Sequence, residues 1–274
     1  LFELGRTPQE EYVKIEKELL DYLSHKFPVG EGKDVPYRIP RYYRSKPDFG
    51  DVDILLSNEV IDDWKTLRED IVKDLGPTDY ECKSWLSMAY KNQIQVDFMP
   101  IDANLLIPTW QFLCYNDLGN LLGKHYRRFN LKYGEKGLFY VYRRDEGGYK
   151  KDIFLTSDMK RILGFLELSF EEWDAGFETL EEMFEWVIAC KYFTCVPFRN
   201  LTKVTSKRAK LRTTMKKFVE YVEEKNIQKA YPFEEKSVYI PKIIEYFPDV
   251  PLEKLIKQEK ELEARANVIK SKFN

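Results

Sequence analysis

Two aspartates open a strongly apolar segment near the start of the chain. Residues 49–56 have the sequence FGDVDILL, and the β-branched and apolar residues after the glycine predict a β-strand over 51–57. Side chains two residues apart in a strand project from the same face, so Asp51 and Asp53 should point the same way. Because neighbouring carboxylates repel each other and are costly to bury, the pair indicates a site for a divalent cation with oxygen ligands.

A third carboxylate lies in a second apolar segment. Asp97 stands between apolar neighbours in residues 92–101, NQIQVDFMPI, which predict another strand. If the two strands are adjacent, three carboxylates could hold two ions of Mg²⁺ or Mn²⁺. Aspartates at strand edges are also common without a metal, and Asp97 could mark a bulge or a strand end. The hypothesis therefore depends on all three acids meeting in space.

The loop before the first strand is basic. Arg38, Arg41, Arg44 and Lys46 lie within the fifteen residues that precede Asp53. Arginine suits bidentate contact with phosphate, so a triphosphate is the anion that we expect beside metal-binding aspartates. The alternative is that these cations only neutralise the neighbouring acids.

The net charge of −2 conceals blocks of like charge. Lysine and arginine are concentrated at 124–151 and 199–217, whereas 162–190 is acidic. Basic blocks of this density attract polyanions such as nucleic-acid backbones. The candidates for nucleic-acid binding are Lys124, Arg127, Arg128, Lys203, Lys207, Arg208, Lys210 and Arg212. The alternative is a solvated helix face that pairs with the acidic segment.

The order of predicted elements indicates an α+β fold with two domains. Strands alternate with helices up to about residue 150 and helices dominate after it, so we predict a catalytic domain at 1–150 and a helical substrate-binding domain at 151–274. The 274 residues, 43% of them hydrophobic, suffice for one large core or two smaller ones. The four cysteines form no CxxC pair, which disfavours a zinc site.

Helical spacing of apolar residues and turn signals predict the individual elements. Thr7 is expected to cap the first helix, with Glu10 completing a capping box. A single strand is expected at 80–90 and a short one at 137–142. The other predicted helices lie at 61–75, 110–128, 159–166, 179–193, 204–225 and 252–273.

No apolar run approaches the roughly 20 residues that span a bilayer, and the chain has no charged-then-apolar leader. We therefore expect no membrane partner and a cytoplasmic location, with a nuclear one as the alternative. The compact architecture would suit a viral or phage-encoded enzyme.

At the acidic strands the chain resembles the nucleotidyltransferase superfamily typified by DNA polymerase β, and especially family X DNA polymerases. Residues 41–56, RYYRSKPDFGDVDILL, are similar to that family's Gly-Ser-aromatic-Arg-Arg stretch and the Gly-Asp-hydrophobic-Asp strand after it. Residues 95–98, QVDF, are similar to the strand that bears its third catalytic aspartate. The resemblance implies a nucleotidyltransferase-type mixed sheet with flanking helices. It also implies that Asp51, Asp53 and Asp97 bind the catalytic metals.

The resemblance extends to nucleotide-binding residues. Arg44 matches the arginine that contacts the incoming triphosphate, and Ser45 is the candidate substitute for the family's Gly-Ser, which this chain replaces with Pro40-Arg41. A weaker similarity within a nucleotide-selecting segment at about 105–150 implies contacts to the incoming sugar and base. The residues at those positions are Tyr115, Asp117 and Asn120.

The resemblance, which spans about residues 38–144, implies a function. We expect a monomeric DNA polymerase-like enzyme of DNA repair that adds nucleotides from an NTP or dNTP to a DNA or RNA 3′-end. Because one helix precedes the catalytic segment, no lyase activity is expected. Alternatives are a terminal nucleotidyltransferase acting on RNA or tRNA, a toxin-type nucleotidyltransferase acting on a protein hydroxyl, a non-catalytic nucleic-acid-binding protein, and a scaffold.

Aromatic residues in the first basic block are candidates for stacking on nucleic-acid bases. They are Tyr126, Phe129 and Tyr133. Their helical spacing favours the alternative that they belong to the core.

Overall fold

The computed structural model describes residues 2–144, 148–198 and 213–273. Its contacts divide the chain into two compact units, the first made of Leu1–Tyr115 with Gly176–Met183 and the second of Asn116–Ala175 with Phe184–Asn274. The change in sequence pattern predicted a domain boundary at residue 150, and that boundary stays a prediction. Packing separates the chain after Tyr115, since the strands that follow it pair among themselves.

The first unit contains a mixed sheet with helices. Its strands are β1 (Thr7–Pro8), β2 (Tyr37–Arg38), β3 (Asp48–Phe49), β4 (Asp51–Ser57), β5 (Asp79–Cys82), β6 (Leu86–Tyr90) and β7 (Ile94–Ile101). Its helices are α1 (Gln9–Lys26), α2 (Trp64–Leu75) and α3 (Leu106–Leu113). Strands β2 and β4–β7 form a five-stranded sheet in the order β2-β4-β7-β6-β5, and β1 pairs with β3. Because β4 and β7 are parallel and the other pairs are antiparallel, the predicted mixed sheet is confirmed.

The two faces of this sheet differ in polarity because successive side chains of a strand point to opposite sides. One face is apolar and packs against α1 and α2. Its strand residues include Val52, Ile54, Leu56, Leu86, Met88, Ile94, Val96 and Phe98, all fully buried. The opposite face carries polar residues of the same strands, Asp51, Asp53, Ser87, Gln95 and Asp97, together with the buried Leu55. A slip of one residue in β4 would turn its aspartates into the apolar core, so burial fixes the register.

Helix α1 starts without the predicted capping box. Pro8 is the N-cap residue, and no side chain caps the helix. Thr7 pairs with Phe49 instead, and its hydroxyl donates to the carbonyl oxygen of Gln93 at 3.3 Å. The expectation for Thr7 is wrong because this tertiary contact takes its hydroxyl. Tyr12, Ile15, Leu19 and Leu23 are buried on one side of α1, which confirms the helical spacing of its apolar residues.

Two predicted elements are each split by a local break. The strand expected at 80–90 is a hairpin of β5 and β6, interrupted at residues 83–85. The helix expected at 110–128 ends at Leu113, because Tyr115 and Asn116 both adopt left-handed backbone conformations with φ of 60°. Such conformations cannot continue a right-handed helix.

The second unit combines a small antiparallel sheet with helices. The sheet has the order β10-β9-β8, and two of its strands were not predicted, β8 (Leu131–Gly134) and β10 (Lys150–Thr156). The remaining strand is β9 (Gly137–Arg143), which confirms the short strand expected there. The helices are α4 (Leu118–Tyr126), α5 (Met159–Phe165), α6 (Phe170–Ala175), α8 (Thr213–Glu224), α9 (Ile240–Tyr246) and α10 (Leu252–Phe273), and α7 (Leu180–Ala189) begins in the first unit and ends in the second.

Several helix predictions in this part of the chain are confirmed. Helix α10 has the predicted bounds. Helix α7 begins at Leu180, close to the predicted start at 179, and the hydroxyl of Thr179 accepts from the backbone N–H of Glu182 at 3.0 Å. Residues 204–212 of the expected basic helix lie outside the described residues. Within the described ranges, no helix has the length and apolar character that crossing a bilayer demands.

The packing of α1 predicts a large difference between two adjacent leucines. Leu19 is fully buried against the sheet, whereas Leu20 is 39% exposed. We expect Leu19→Ala to lower the free energy of unfolding by about 2–5 kcal/mol because it leaves a cavity. Leu20→Ala should change it by less than about 0.5 kcal/mol. Urea unfolding followed by circular dichroism measures both, and equal losses would contradict this packing.

Candidate metal centre

Three carboxylates converge on the polar face of the five-stranded sheet. Strands β4 and β7 run parallel in a register that sets Asp53 beside Asp97 and Asp51 beside Gln95. One carboxylate oxygen from each of Asp51, Asp53 and Asp97 lies within 4.8 Å of the others. The predicted meeting of the three acids is therefore confirmed, and this cluster, the acidic triad, could hold a metal ion. Its catalytic role stays a prediction.

The triad is electrostatically strained, because its three carboxylates lie close together and are partly buried. Burial, Asp51 and Asp97 together raise the pKa of Asp53 to about 7. Burial and then Asp97 also raise the pKa of Asp51, although that residue lies at the exposed end of β4. A divalent cation among the oxygens would remove this repulsion, so the donor set fits such an ion.

Two cationic side chains lie beside the triad. The ammonium of Lys46 lies 4.3 Å from the ring centroid of Phe49. Burial lowers the pKa of Lys46 to about 8, and the attraction of Asp51 opposes this shift. The guanidinium of Arg6 donates to the side-chain carboxylate of Asp48, and also to the backbone carbonyl oxygen of Asp48 at 3.1 Å. The sequence analysis placed Lys46 in the basic loop but missed Arg6, which no local pattern connects to the triad.

Gln95 orients the third carboxylate. Its side-chain amide donates to both oxygens of Asp97, at 3.1 and 2.9 Å. Because Gln95 and Asp97 are two residues apart on β7, their side chains share a face. The alternation of β7 in the sequence could therefore have identified Gln95 as a positioning residue, although the sequence analysis did not do so.

An aromatic stack supports the turn that presents Asp51. The ring of Tyr12 stacks on Phe49 with centroids 3.6 Å apart. Tyr42 packs edge-on against Phe49, and its hydroxyl donates to Glu16 at 3.2 Å. Burial raises the pKa of Glu16, and hydrogen bonds from Tyr42 and Tyr12 oppose that shift. These contacts hold α1 against the segment that leads into β4.

The predicted phosphate-binding residues lie on an exposed loop. The backbone N–H groups of Arg44 and Ser45 donate to the carbonyl oxygens of Phe177 and Glu178, at 3.0 and 2.9 Å. The Arg44 guanidinium also lies 3.4 Å from the carboxylate of Glu178. Since both side chains are exposed on the segment that leads to Lys46, they stay candidates for contact with an anion.

The residues expected to contact the sugar and base are not brought together in one unit. Tyr115 is 1% exposed and packs edge-on against Phe177, with ring centroids 5.0 Å apart. We do not include it in the site, because its ring is covered. Asp117 and Asn120 belong to the second unit, where the Asn120 amide donates to Asp117 at 3.5 Å at the start of α4.

The first basic block is partly packed into the second unit. Lys124 is half-buried with its ammonium 5.9 Å from the Phe198 ring, and burial, followed by Arg127, lowers its pKa. Arg128 lies 5.7 Å from the Phe233 ring, and Arg127 is exposed. The other predicted nucleic-acid-binding residues lie outside the described residues. They are Lys203, Lys207, Arg208, Lys210 and Arg212.

The aromatics of this block belong to the core, which confirms the alternative that the sequence favoured over stacking on bases. Tyr126 and Phe129 are fully buried and Tyr133 is 8% exposed. The hydroxyl of Tyr126 donates to the carbonyl oxygen of Ile162 at 2.5 Å. Tyr126 at the end of α4 packs edge-to-face against Tyr133 on β8, and Phe129 packs edge-to-face against Phe165.

No protein-family model matches the chain, and no curated protein matches it either.

The raised pKa of Asp53 predicts a stability change in the metal-free protein. The folded state keeps a proton on Asp53 up to about pH 7, whereas the unfolded chain loses it near pH 4. The stability that this proton contributes is therefore present at low pH and lost as pH rises through 7. We expect Asp53→Asn to raise the unfolding free energy by about 2 kcal/mol at pH 8, after allowance for partial exposure.

The difference should shrink as pH falls to about 4, where both proteins carry a neutral side chain at this position. Urea unfolding in a chelating buffer at several pH values measures it. Asp79→Asn, an exposed acid on the edge strand of the same sheet, is the matched control and should show no such pH-dependent gain.

Metal binding should be pH-dependent for the same reason. A cation must displace the proton from Asp53, so the affinity for Mn²⁺ should fall about tenfold per pH unit below pH 7. Electron paramagnetic resonance of free Mn²⁺ measures the affinity. An affinity that stays constant from about pH 5 to pH 8, or one unchanged in Asp53→Asn, would contradict this assignment.

Proposed function

We propose that this protein is a metal-dependent nucleotidyltransferase. It would transfer a nucleotide from an NTP or dNTP to a nucleic-acid 3′-hydroxyl, with release of pyrophosphate. The observation that carries the proposal is the meeting of three carboxylates within 4.8 Å on one sheet face, beside a basic loop that ends at Lys46. A negative metal-binding cluster next to cations suits a phosphorylated substrate.

The donor set supports two ions of Mg²⁺ or Mn²⁺, because carboxylate oxygens are the ligands that these hard cations prefer. When bound, such ions would acidify the attacking hydroxyl and neutralise charge on the departing pyrophosphate. Asp51 and Asp53 on β4 and Asp97 on β7 would hold them.

The basic loop would hold the triphosphate. Lys46 is half-buried beside Asp51, and burial lowers its pKa. Contact with a phosphate oxygen would restore the charge that burial disfavours. Arg44 and Ser45 precede it on the exposed part of the same loop, where a guanidinium and a hydroxyl can donate to further phosphate oxygens.

The acceptor would react from the side of Asp97. The hydroxyl oxygen forms a bond to the α-phosphorus, the bond from that phosphorus to the bridging oxygen of pyrophosphate breaks, and the hydroxyl proton passes to the Asp97 carboxylate. The amide of Gln95 donates to both oxygens of Asp97 and would keep that carboxylate in place. Positioning would supply much of the acceleration.

Three acceptors are compatible with this chemistry. The family X resemblance favours the 3′-end of a DNA primer, and the alternatives are an RNA or tRNA end and a protein hydroxyl. A gel assay with radiolabelled nucleotides separates them. Primer–template DNA, single-stranded DNA, tRNA and the protein alone are each incubated with every NTP and dNTP in Mg²⁺ or Mn²⁺.

We expect Asp53→Asn and Asp97→Asn to reduce incorporation at least about 100-fold, because each removes charge at the reacting phosphate. Asp79→Asn, at the exposed edge of the same sheet, should keep wild-type activity. Circular dichroism checks that all variants are folded. Incorporation that survives in both triad variants would remove the assignment, and its absence with every acceptor would remove the proposed function.

A further inference from the structure

The polar face of the sheet continues beyond the acidic triad. In the antiparallel pair of β6 and β7, Ser87 lies directly opposite Asp97. Directly opposed side chains of such a pair share a face and have Cβ atoms roughly 5 Å apart. Ser87 therefore borders the triad on the side away from Asp51. Ser87 is itself 1% exposed.

Trp85 is the hydrogen-bond partner of the Ser87 side chain. Its indole N–H donates to the Ser87 hydroxyl at 3.1 Å, which holds the ring on the same face as Asp97. Trp85 is nevertheless 43% exposed. Among the residues that the structure describes, no other aromatic ring and no cation packs against it. A large planar surface is thus fixed in orientation beside the triad and open to solvent.

The surroundings of Trp85 suit a nucleic-acid end. Glu81 on β5 lies opposite Ser87 on β6. The carboxylate of Glu81 forms an ion pair with the ammonium of Lys83 at 2.6 Å. This pairing reduces the repulsion that a lone carboxylate would exert on a phosphate backbone. An exposed indole offers stacking to any base, because every base has a π-face.

The two sides of the triad differ in what they offer a substrate. Lys46 and the basic loop lie on the side of Asp51, whereas Trp85 lies on the side of Asp97. If the proposed nucleotidyl transfer is right, on which this inference rests, the triphosphate occupies the first side and the acceptor hydroxyl approaches Asp97. We infer that Trp85 stacks against the terminal base of the acceptor strand and thereby places its 3′-hydroxyl at Asp97.

The test compares two fluorescein-labelled single-stranded octanucleotides that differ only at the 3′-end. One ends in a normal nucleotide and the other in an abasic sugar, and each is made as DNA and as RNA. Fluorescence anisotropy without added nucleotide measures their affinities. The wild-type protein should bind the complete oligonucleotide about tenfold more tightly, the scale of one base–aromatic stack.

Trp85→Ala should abolish this preference for a terminal base, and Trp85→Phe should keep most of it. Tyr80→Ala is the matched control, because Tyr80 is a 52% exposed aromatic on the same hairpin but lies opposite Met88, on the other face. Ser87→Ala removes only the hydrogen bond that orients the indole, and should weaken the preference partially. A preference that is absent from the wild-type protein, or kept in Trp85→Ala, overturns the inference.

Steady-state kinetics shows whether the base that stacks on Trp85 belongs to the acceptor strand or to the incoming nucleotide. Trp85→Ala should raise the KM for the acceptor about tenfold and leave the KM for the nucleotide unchanged. The reverse pattern would overturn the inference, because the stacked base would then belong to the incoming nucleotide. Asp53→Asn should lose incorporation but keep the terminal-base preference. Failure of the proposed function is therefore seen as absent incorporation, and failure of the Trp85 subsite as absent base preference.

Discussion

The parallel pairing of β4 with β7 is the constraint on which the candidate site depends. Its register sets Asp53 beside Asp97, and the apolar face behind them fixes that register, since Val52, Ile54, Val96 and Phe98 must all remain buried. A slip by one residue would exchange the core for the carboxylates. The register that buries apolar residues on one face of the sheet therefore also brings like charges close together on the other face.

This arrangement has a cost that itself points to function. Like charges and burial raise the pKa of Asp53 to about 7, so the metal-free protein is less stable in its ionised form. A purely structural role does not require three acids with oxygens within 4.8 Å. Binding sites often retain such unfavourable groups, because their ligand removes the repulsion.

The same register extends the site across the sheet. Gln95 reaches Asp97 along β7, and Ser87 with Trp85 reaches it from β6. Lys46 and Arg6 approach from the segments that precede the strands. The result is a face with cations at one side of the acidic triad and a fixed indole at the other, an asymmetry that could distinguish a triphosphate from a nucleic-acid end.

The sequence was sufficient to predict those strands and helices that depend on residues close together in the chain. The β-branched and apolar residues after Gly50 predicted β4, and the two-residue repeat of a strand predicted the shared face of Asp51 and Asp53. Helical spacing predicted the buried apolar residues of α1. The convergence of Asp97 with them could be proposed because it required only adjacent strands. The bounds of α10 likewise agree with the helix predicted at 252–273.

Tertiary structure decided what depends on distant partners. The hydroxyl of Thr7 bonds to Gln93 instead of capping a helix, and Arg6 lies near the triad through a contact with Asp48. Tyr126 and Trp85 are both aromatic, yet the first is buried and the second is exposed beside Asp97. Composition cannot separate the two cases, because burial is set by which surfaces the folded chain brings together. The sequence by itself determined which side chains could bind metal, and strand pairing decided that they meet.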